Sequence, residues 1–135
     1  MAQVSNSLSE NITRLMQENL LAVFNERDPQ KRLATIRRNY AADVRWSDSE
    51  ETVVGRDRLH DKAQALLDGQ LAGLSFTPSG PVYQTANMGL LAFDVFAPGA
   101  GDSGGGQPLV SGFDVAIVED GVISQLFTVL TKEPG

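Results

Sequence analysis

The chain has 135 residues, 41% of them hydrophobic and 21% charged, which is the size of one compact domain with one core. It has no cysteine and a single histidine, His60, which excludes thiol catalysis, thiolate metal sites and disulfides and denies the usual catalytic zinc centres their imidazoles. Eleven Lys and Arg against seventeen Asp and Glu give a net charge of -6, which opposes nucleic-acid binding and leaves carboxylates as the natural chemical groups.

Residues Met1 to Ser7 carry neither a basic nor an apolar signal region, and no later apolar run approaches membrane-spanning length. The expectation is a soluble, cytoplasmic protein with no membrane partner, organised as a tail (1–7), one domain (8–132) and a short tail (133–135). Ser7-Leu8-Ser9-Glu10 has the form of a capping box, followed by Leu8, Ile12, Leu15, Met16, Leu20, Val23 and Phe24 at helical spacing. This predicts a long amphipathic helix ending near Arg27. Asp28-Pro29 opens a second helix with a buried stripe of Leu33, Ile36 and Tyr40. That stripe leaves most of Arg27, Lys31, Arg32, Arg37 and Arg38 on a solvated outer arc.

From Asp43 the period changes to two, placing Val44, Trp46 and Asp48 on one face of a short strand. Ser47 to Glu51 is a polar turn, Thr52 to Val54 a brief strand, and Leu59, Ala63, Leu66 and Leu67 mark a third helix stopping at Gly69. Strands then follow at 74–77, 82–85, 90–97, 109–119 and 122–131, with Asp120-Gly121 as the clearest hairpin turn. Gly99 to Gly104 formally matches a dinucleotide fingerprint, but it leads into a strand and not a helix, so it reads as a hairpin loop.

Helices first and antiparallel hairpins afterwards make an α+β domain with three helices packed on one face of the sheet. On the strand at 109–119, Phe113, Val115 and Ile117 point one way and Val110, Gly112, Ala116 and Val118 the other, so both faces are apolar. No helix is left to cover the outer face, and a second copy of the chain is the economical cover: a homodimer is expected.

The order of elements, with Tyr40-Ala41-Ala42-Asp43-Val44-Arg45-Trp46-Ser47-Asp48, Val54-Gly55-Arg56-Asp57 and the hairpin Phe113 to Ile123, resembles the nuclear transport factor 2-like superfamily. That group includes ketosteroid isomerases, SnoaL-like polyketide cyclases, scytalone dehydratase and limonene epoxide hydrolase. The resemblance runs from about Leu8 to Thr131 and implies a cone-shaped, curved, antiparallel-rich sheet. It implies a general base at Asp48, eight residues after Tyr40, and a protonated carboxyl that hydrogen-bonds an oxyanion at Asp114. The oxyanion tyrosine of the isomerases falls at Leu20, so one donor of that pattern is missing.

The residues themselves leave alternatives open. Asp114 interrupts an apolar strand face, so it either faces a cavity or makes a structural hydrogen bond. Asp48 is either an inward base beside Trp46 or an ordinary turn aspartate. Leu20, Phe24, Tyr40, Trp46, Leu91, Phe93 and Val95 wall an apolar pocket or fill a plain core. His60 sits at the pocket mouth or in solvent. The functional expectation is a pocket for a small apolar molecule, with acid/base isomerase, cyclase or dehydratase chemistry on a hydrophobic carbonyl compound and neither cofactor nor metal. The alternative is a non-catalytic ligand-binding or dimerisation module of the same fold.

Overall fold

The computed structural model describes residues 2–98 and 106–133, with side chains from residue 7 onward. In chain order it runs α1 (Ala2–Glu18), a π-helical segment (Asn19–Phe24), α2 (Pro29–Asn39), β1 (Tyr40–Ser47), β2 (Thr52–Val54), α3 (Arg56–Asp68), β3 (Ser75–Pro78), β4 (Tyr83–Thr85), β5 (Met88–Phe96), β6 (Val110–Glu119) and β7 (Val122–Lys132). The Gly99 to Gly104 run lies outside the described residues.

α1 begins at Ala2, ahead of the Ser7 cap that the sequence suggested. Ser7 to Glu10 form an exposed turn within the helix, where serine is tolerated without starting a helix. The stripe from Ile12 to Phe24 is buried as its spacing requires, while Leu8 is exposed. Over the last six residues the helix widens into π geometry: the Asn25 N–H donates to the Leu20 carbonyl at 3.0 Å, five residues back.

The Asp28 side chain caps α2 by accepting from the Gln30 and Lys31 N–H groups, with Pro29 at the first helical position. Arg32 departs from the solvated arc expected of this helix and is fully buried. Its guanidinium donates to the carbonyls of Val23 and Glu26, just where the first helix ends, and to Gln64 Oε1 at 2.6 Å. One cation thus ties the first helix to α2 and α3.

The sheet is ordered β2-β1-β7-β6-β5-β3, with β4 on the same edge of β5 as β3. All pairings are antiparallel except β1 with β7, which run parallel, Trp46 opposite Leu126. The sheet is therefore mixed, although antiparallel hairpins dominate it. β6 and β7 meet at Asp120-Gly121, both at positive φ as a two-residue primed turn demands.

All three helices lie on one face, over a core that includes Tyr40, Val44, Leu91, Ala116, Ile123 and Leu126. Gly89 is what lets α1 come close. A Cβ there would stand 2.7 Å from Ile12 Cγ2 and 2.9 Å from Met16 Cγ. No helix of the described chain is long and apolar enough to cross a membrane.

Candidate active site

α1 covers only the half of the sheet around Gly89 and Ala116. Beyond Asp114 the inner face is left open, and a cavity of about 480 Å³ occupies the space. Phe24, Trp46, Phe76 and Phe93 form an aromatic wall, with Phe24 edge-on to Trp46 at 5.0 Å and Phe76 tilted against Phe93 at 5.7 Å. Val95 and Val110 continue it. Buried Asp114 lies on the floor, whereas exposed Glu50, Gln70 and Glu133 mark the rim.

Asp114 is 3% exposed and sits at the centre of a chain of hydrogen bonds. Thr128 Oγ1 donates to its Oδ1 at 2.8 Å, and Trp46 Nε1 donates to Thr128 Oγ1 at 3.0 Å. Asn19 Nδ2 donates to its Oδ2 at 2.9 Å, and the buried Tyr40 hydroxyl donates to Asn19 Oδ1. The π-helical turn begins at Asn19, the residue that reaches the strand. Burial pushes the Asp114 carboxyl up to about 7, against the opposing pull of the Thr128 and Asn19 hydrogen bonds. Burial, and then the charge of Asp114, push the Tyr40 hydroxyl well above its ordinary value.

Asp48 is held in a different way. It follows β1, and its Oδ1 accepts from the N–H groups of Glu50 and Glu51 at 2.9 and 3.0 Å, closing the polar turn. Its Oδ2 receives Lys62 Nζ at 2.6 Å, and the same ammonium lies 3.3 Å from Glu51 Oε2 and 4.7 Å from the centre of the Trp46 ring. Partial burial pushes the Asp48 carboxyl up, but the Lys62 and backbone hydrogen bonds outweigh it and hold the group below its ordinary value. It therefore lines the cavity as an ionised, paired carboxylate.

Of the residues the sequence nominated, Asp48, Asp114, Phe24, Trp46, Phe93 and Val95 line the cavity. Leu20, Tyr40, His60 and Leu91 do not. Leu20, Tyr40 and Leu91 are sealed in the core, Leu91 under the half of the sheet that α1 occupies. His60 precedes Lys62 by two residues, so on a helix it faces away from the side on which Lys62, Leu66 and Gln70 meet the cavity. Burial, and then the nearby Arg32, hold its imidazole below the ordinary value, and its Nδ1 is buried without a hydrogen-bond partner.

Three residues that hold the two aspartates were missed. Lys62 lies between Leu59 and Leu66 at helical spacing, within the apolar stripe of α3. Asn19 interrupts the stripe of the first helix, four residues after Leu15. Thr128 interrupts Leu126 and Leu130 on one face of β7. Each was a polar residue on an apolar period. Among the described residues no group of three or more His, Asp or Glu converges as a metal site.

No protein-family model matches the sequence, and no curated protein matches it. Solved structures do match its shape. A member of the SnoaL-like family from Agrobacterium tumefaciens, proposed to be an isomerase, superposes with a TM-score of 0.78 at 20% identity, covering 90% of this chain and 97% of that one. A proposed SnoaL-like polyketide cyclase from Jannaschia sp. gives 0.68 at 14% identity, covering 93% and 86%. A de novo designed protein with a curved β-sheet also gives 0.68 at 14% identity, covering 90% and 85%. A shape that has also been designed from scratch carries no activity by itself. The chain has the α+β cone fold shared by SnoaL-like, ketosteroid isomerase-like and nuclear transport factor 2-like proteins.

Proposed function

We propose that the protein binds a small hydrophobic carbonyl compound in this cavity and moves a proton beside the carbonyl, in an isomerisation, cyclisation or dehydration through an enol. The observation that carries the reading is the contrasting surroundings of two carboxyls that line one largely apolar cavity: Asp48 holds Lys62 and two backbone N–H groups, whereas buried Asp114 has only the neutral donors Asn19 and Thr128. Asp48 is kept ionised by Lys62 and the turn, while Asp114 is kept protonated below about pH 7 by burial. Environments that push two carboxyls apart in this way assign a base and an acid. In the proposed step, the Asp48 carboxylate takes a proton from the carbon next to the carbonyl. The electron pair moves into the carbonyl, and its oxygen is stabilised by the proton held at Asp114. Returning the proton to another carbon, or losing a leaving group there, completes the reaction. The fold neighbours proposed to be an isomerase and a polyketide cyclase support this class.

The test is deuterium incorporation next to the carbonyl of hydrophobic aryl ketones in D₂O, followed by NMR. Exchange above the buffer rate is expected, with Asp48→Asn and Asp114→Asn each slowing it by about a hundredfold or more. The absence of exchange in the unaltered protein sinks the catalytic reading. The second reading is a non-catalytic ligand carrier, favoured by the ion pair that ties Asp48 to Lys62 and lowers its basicity. A carrier would bind the same ketones without exchange.

We further infer that two copies pair through the outer sheet face. Leu90, Val115 and Phe127 form one apolar row across β5, β6 and β7, and Ala92, Phe113 and Val129 the next. Phe127 and Val129 are 37% and 42% exposed, an unusual state for so large an apolar surface. Sedimentation equilibrium should return twice the 14.5 kDa chain mass, and Val129→Glu should return a monomer.

A further inference from the structure

The hydrogen bonds around Asp114 can be assigned donor by donor, and the assignment leaves one hydrogen with two destinations. Trp46 Nε1 carries a hydrogen and no lone pair for accepting, so Thr128 Oγ1 must accept from it. On the other side, the Asn19 amide presents Oδ1 to the Tyr40 hydroxyl and Nδ2 to Asp114, and with the amide so oriented Oδ2 of the carboxyl is an acceptor. The titrating proton therefore belongs on Oδ1, the atom that faces Thr128. When Asp114 is ionised, the Thr128 hydroxyl gives its hydrogen to Oδ1. When Asp114 is protonated, Oδ1 donates to Thr128 Oγ1, and the hydroxyl's own hydrogen is released.

Thr128 lines the cavity beside the aromatic wall, whereas Asp114 is almost wholly covered. From this geometry we propose that Thr128 is the group that touches the ligand, presenting the hydrogen of its hydroxyl to a carbonyl oxygen and relaying the proton of Asp114. This rests on the acid role of Asp114 given above and replaces direct contact with a relay. In the step, the Oδ1–H bond of Asp114 breaks as a new O–H bond forms on Thr128. The original Thr128 O–H bond breaks as the enolate oxygen takes its hydrogen. The products are an enol, an unchanged threonine and an Asp114 carboxylate that accepts from Thr128 and Asn19, the hydrogen-bond arrangement described above.

The arrangement also supplies what the missing first-helix phenol would have given. Leu20 is sealed in the core, and the neighbouring Asn19 acts on Asp114 instead of on the ligand. The cavity's donor thus comes from β7.

The probe is 2-acetylnaphthalene, a neutral ketone that can only accept, with its dissociation constant measured by fluorescence at pH 5.5 and pH 8.5. The unaltered protein should bind about tenfold tighter at pH 5.5, the worth of one hydrogen bond to a carbonyl. Thr128→Ser should keep that ratio. Thr128→Val, nearly isosteric, should bring it within about twofold of unity while its amide NMR spectrum stays folded. Because Thr128→Val also removes a donor to the Asp114 carboxylate and so raises its titration, the ratio in that variant is taken between pH values that bracket its own Asp114 titration, read from the carboxyl carbon by NMR. Asp114→Asn, whose amide can donate to Thr128 permanently, should bind with the low-pH affinity at both values. If Thr128→Val keeps the tenfold ratio, the ligand meets Asp114 directly and the relay is wrong. If the unaltered protein shows no ratio, or does not bind the ketone, the acid role of Asp114 itself is wrong.

Discussion

Asp114 on the cavity floor and Asp48 near its rim carry the same functional group in two solvents. The floor is built from strand residues whose neighbours are apolar, so the carboxyl there has hydrogen bonds but no countercharge, and burial pushes it up to about 7. Near the rim a turn supplies two backbone N–H groups and a helix supplies an ammonium, and the carboxyl is held below its ordinary value although its side chain is only 21% exposed. The lesson is that depth alone does not set protonation. Neutral donors soften the cost of burial, whereas a cation reverses it.

The largest expected effect comes from erasing the floor's side of that contrast. A carboxyl whose folded value lies above its unfolded value binds its proton more tightly when folded. Its contribution is fully present below the ordinary value of 3.8 and is lost as pH rises to about 7. Urea titrations should therefore show stability falling by about 4 kcal/mol across that window. Asp114→Asn should flatten the decline, and a decline that persists would place its origin elsewhere. Next in size is Asn19→Ala, which leaves the buried Tyr40 hydroxyl without its acceptor and Asp114 with one donor fewer. It should cost about 2 kcal/mol and move the Asp114 titration to higher pH, read from the carboxyl carbon by NMR. Smallest is Lys62→Met, which keeps the stem against Trp46 and removes the charge. It should cost about 1 kcal/mol and raise the Asp48 titration toward that of the floor. An unmoved Asp48 would mean that the turn's N–H groups hold it alone.

Much of this was legible in order along the chain. The Asp28-Pro29 start of α2, the period of two through Val44 and Trp46, and the Asp120-Gly121 hairpin are local signals, and the structure follows them. Asp114 was legible because one charged residue among Val110, Ala116 and Val118 is a costly exception on a buried face. Asp48 was placed by its spacing, but its ion pair was not, because Lys62 reaches it from a separate helix. The π-helical turn at Asn19 and the parallel pairing of β1 with β7 escaped for the same reason. Both depend on distant parts of the chain, which a local period cannot register. Tyr40 and Leu91 show the converse error: an apolar period marks burial without saying which half of the sheet a helix will fill.

The parallel seam between β1 and β7 also governs how this molecule comes into being. Trp46 and Thr128 are separated by 82 positions along the chain, so the wall and floor of the cavity meet only after a large loop has closed. During synthesis, α1, α2 and β1 emerge long before their sheet partner exists, and the aromatic wall waits without its opposite side. A chain interrupted before β7 keeps its hairpin-forming middle but loses the seam and Thr128 together. The cavity is thus expected to close late in folding, and slow refolding from urea, with the Trp46 signal trailing the loss of disorder, is the kinetic signature that seam would leave.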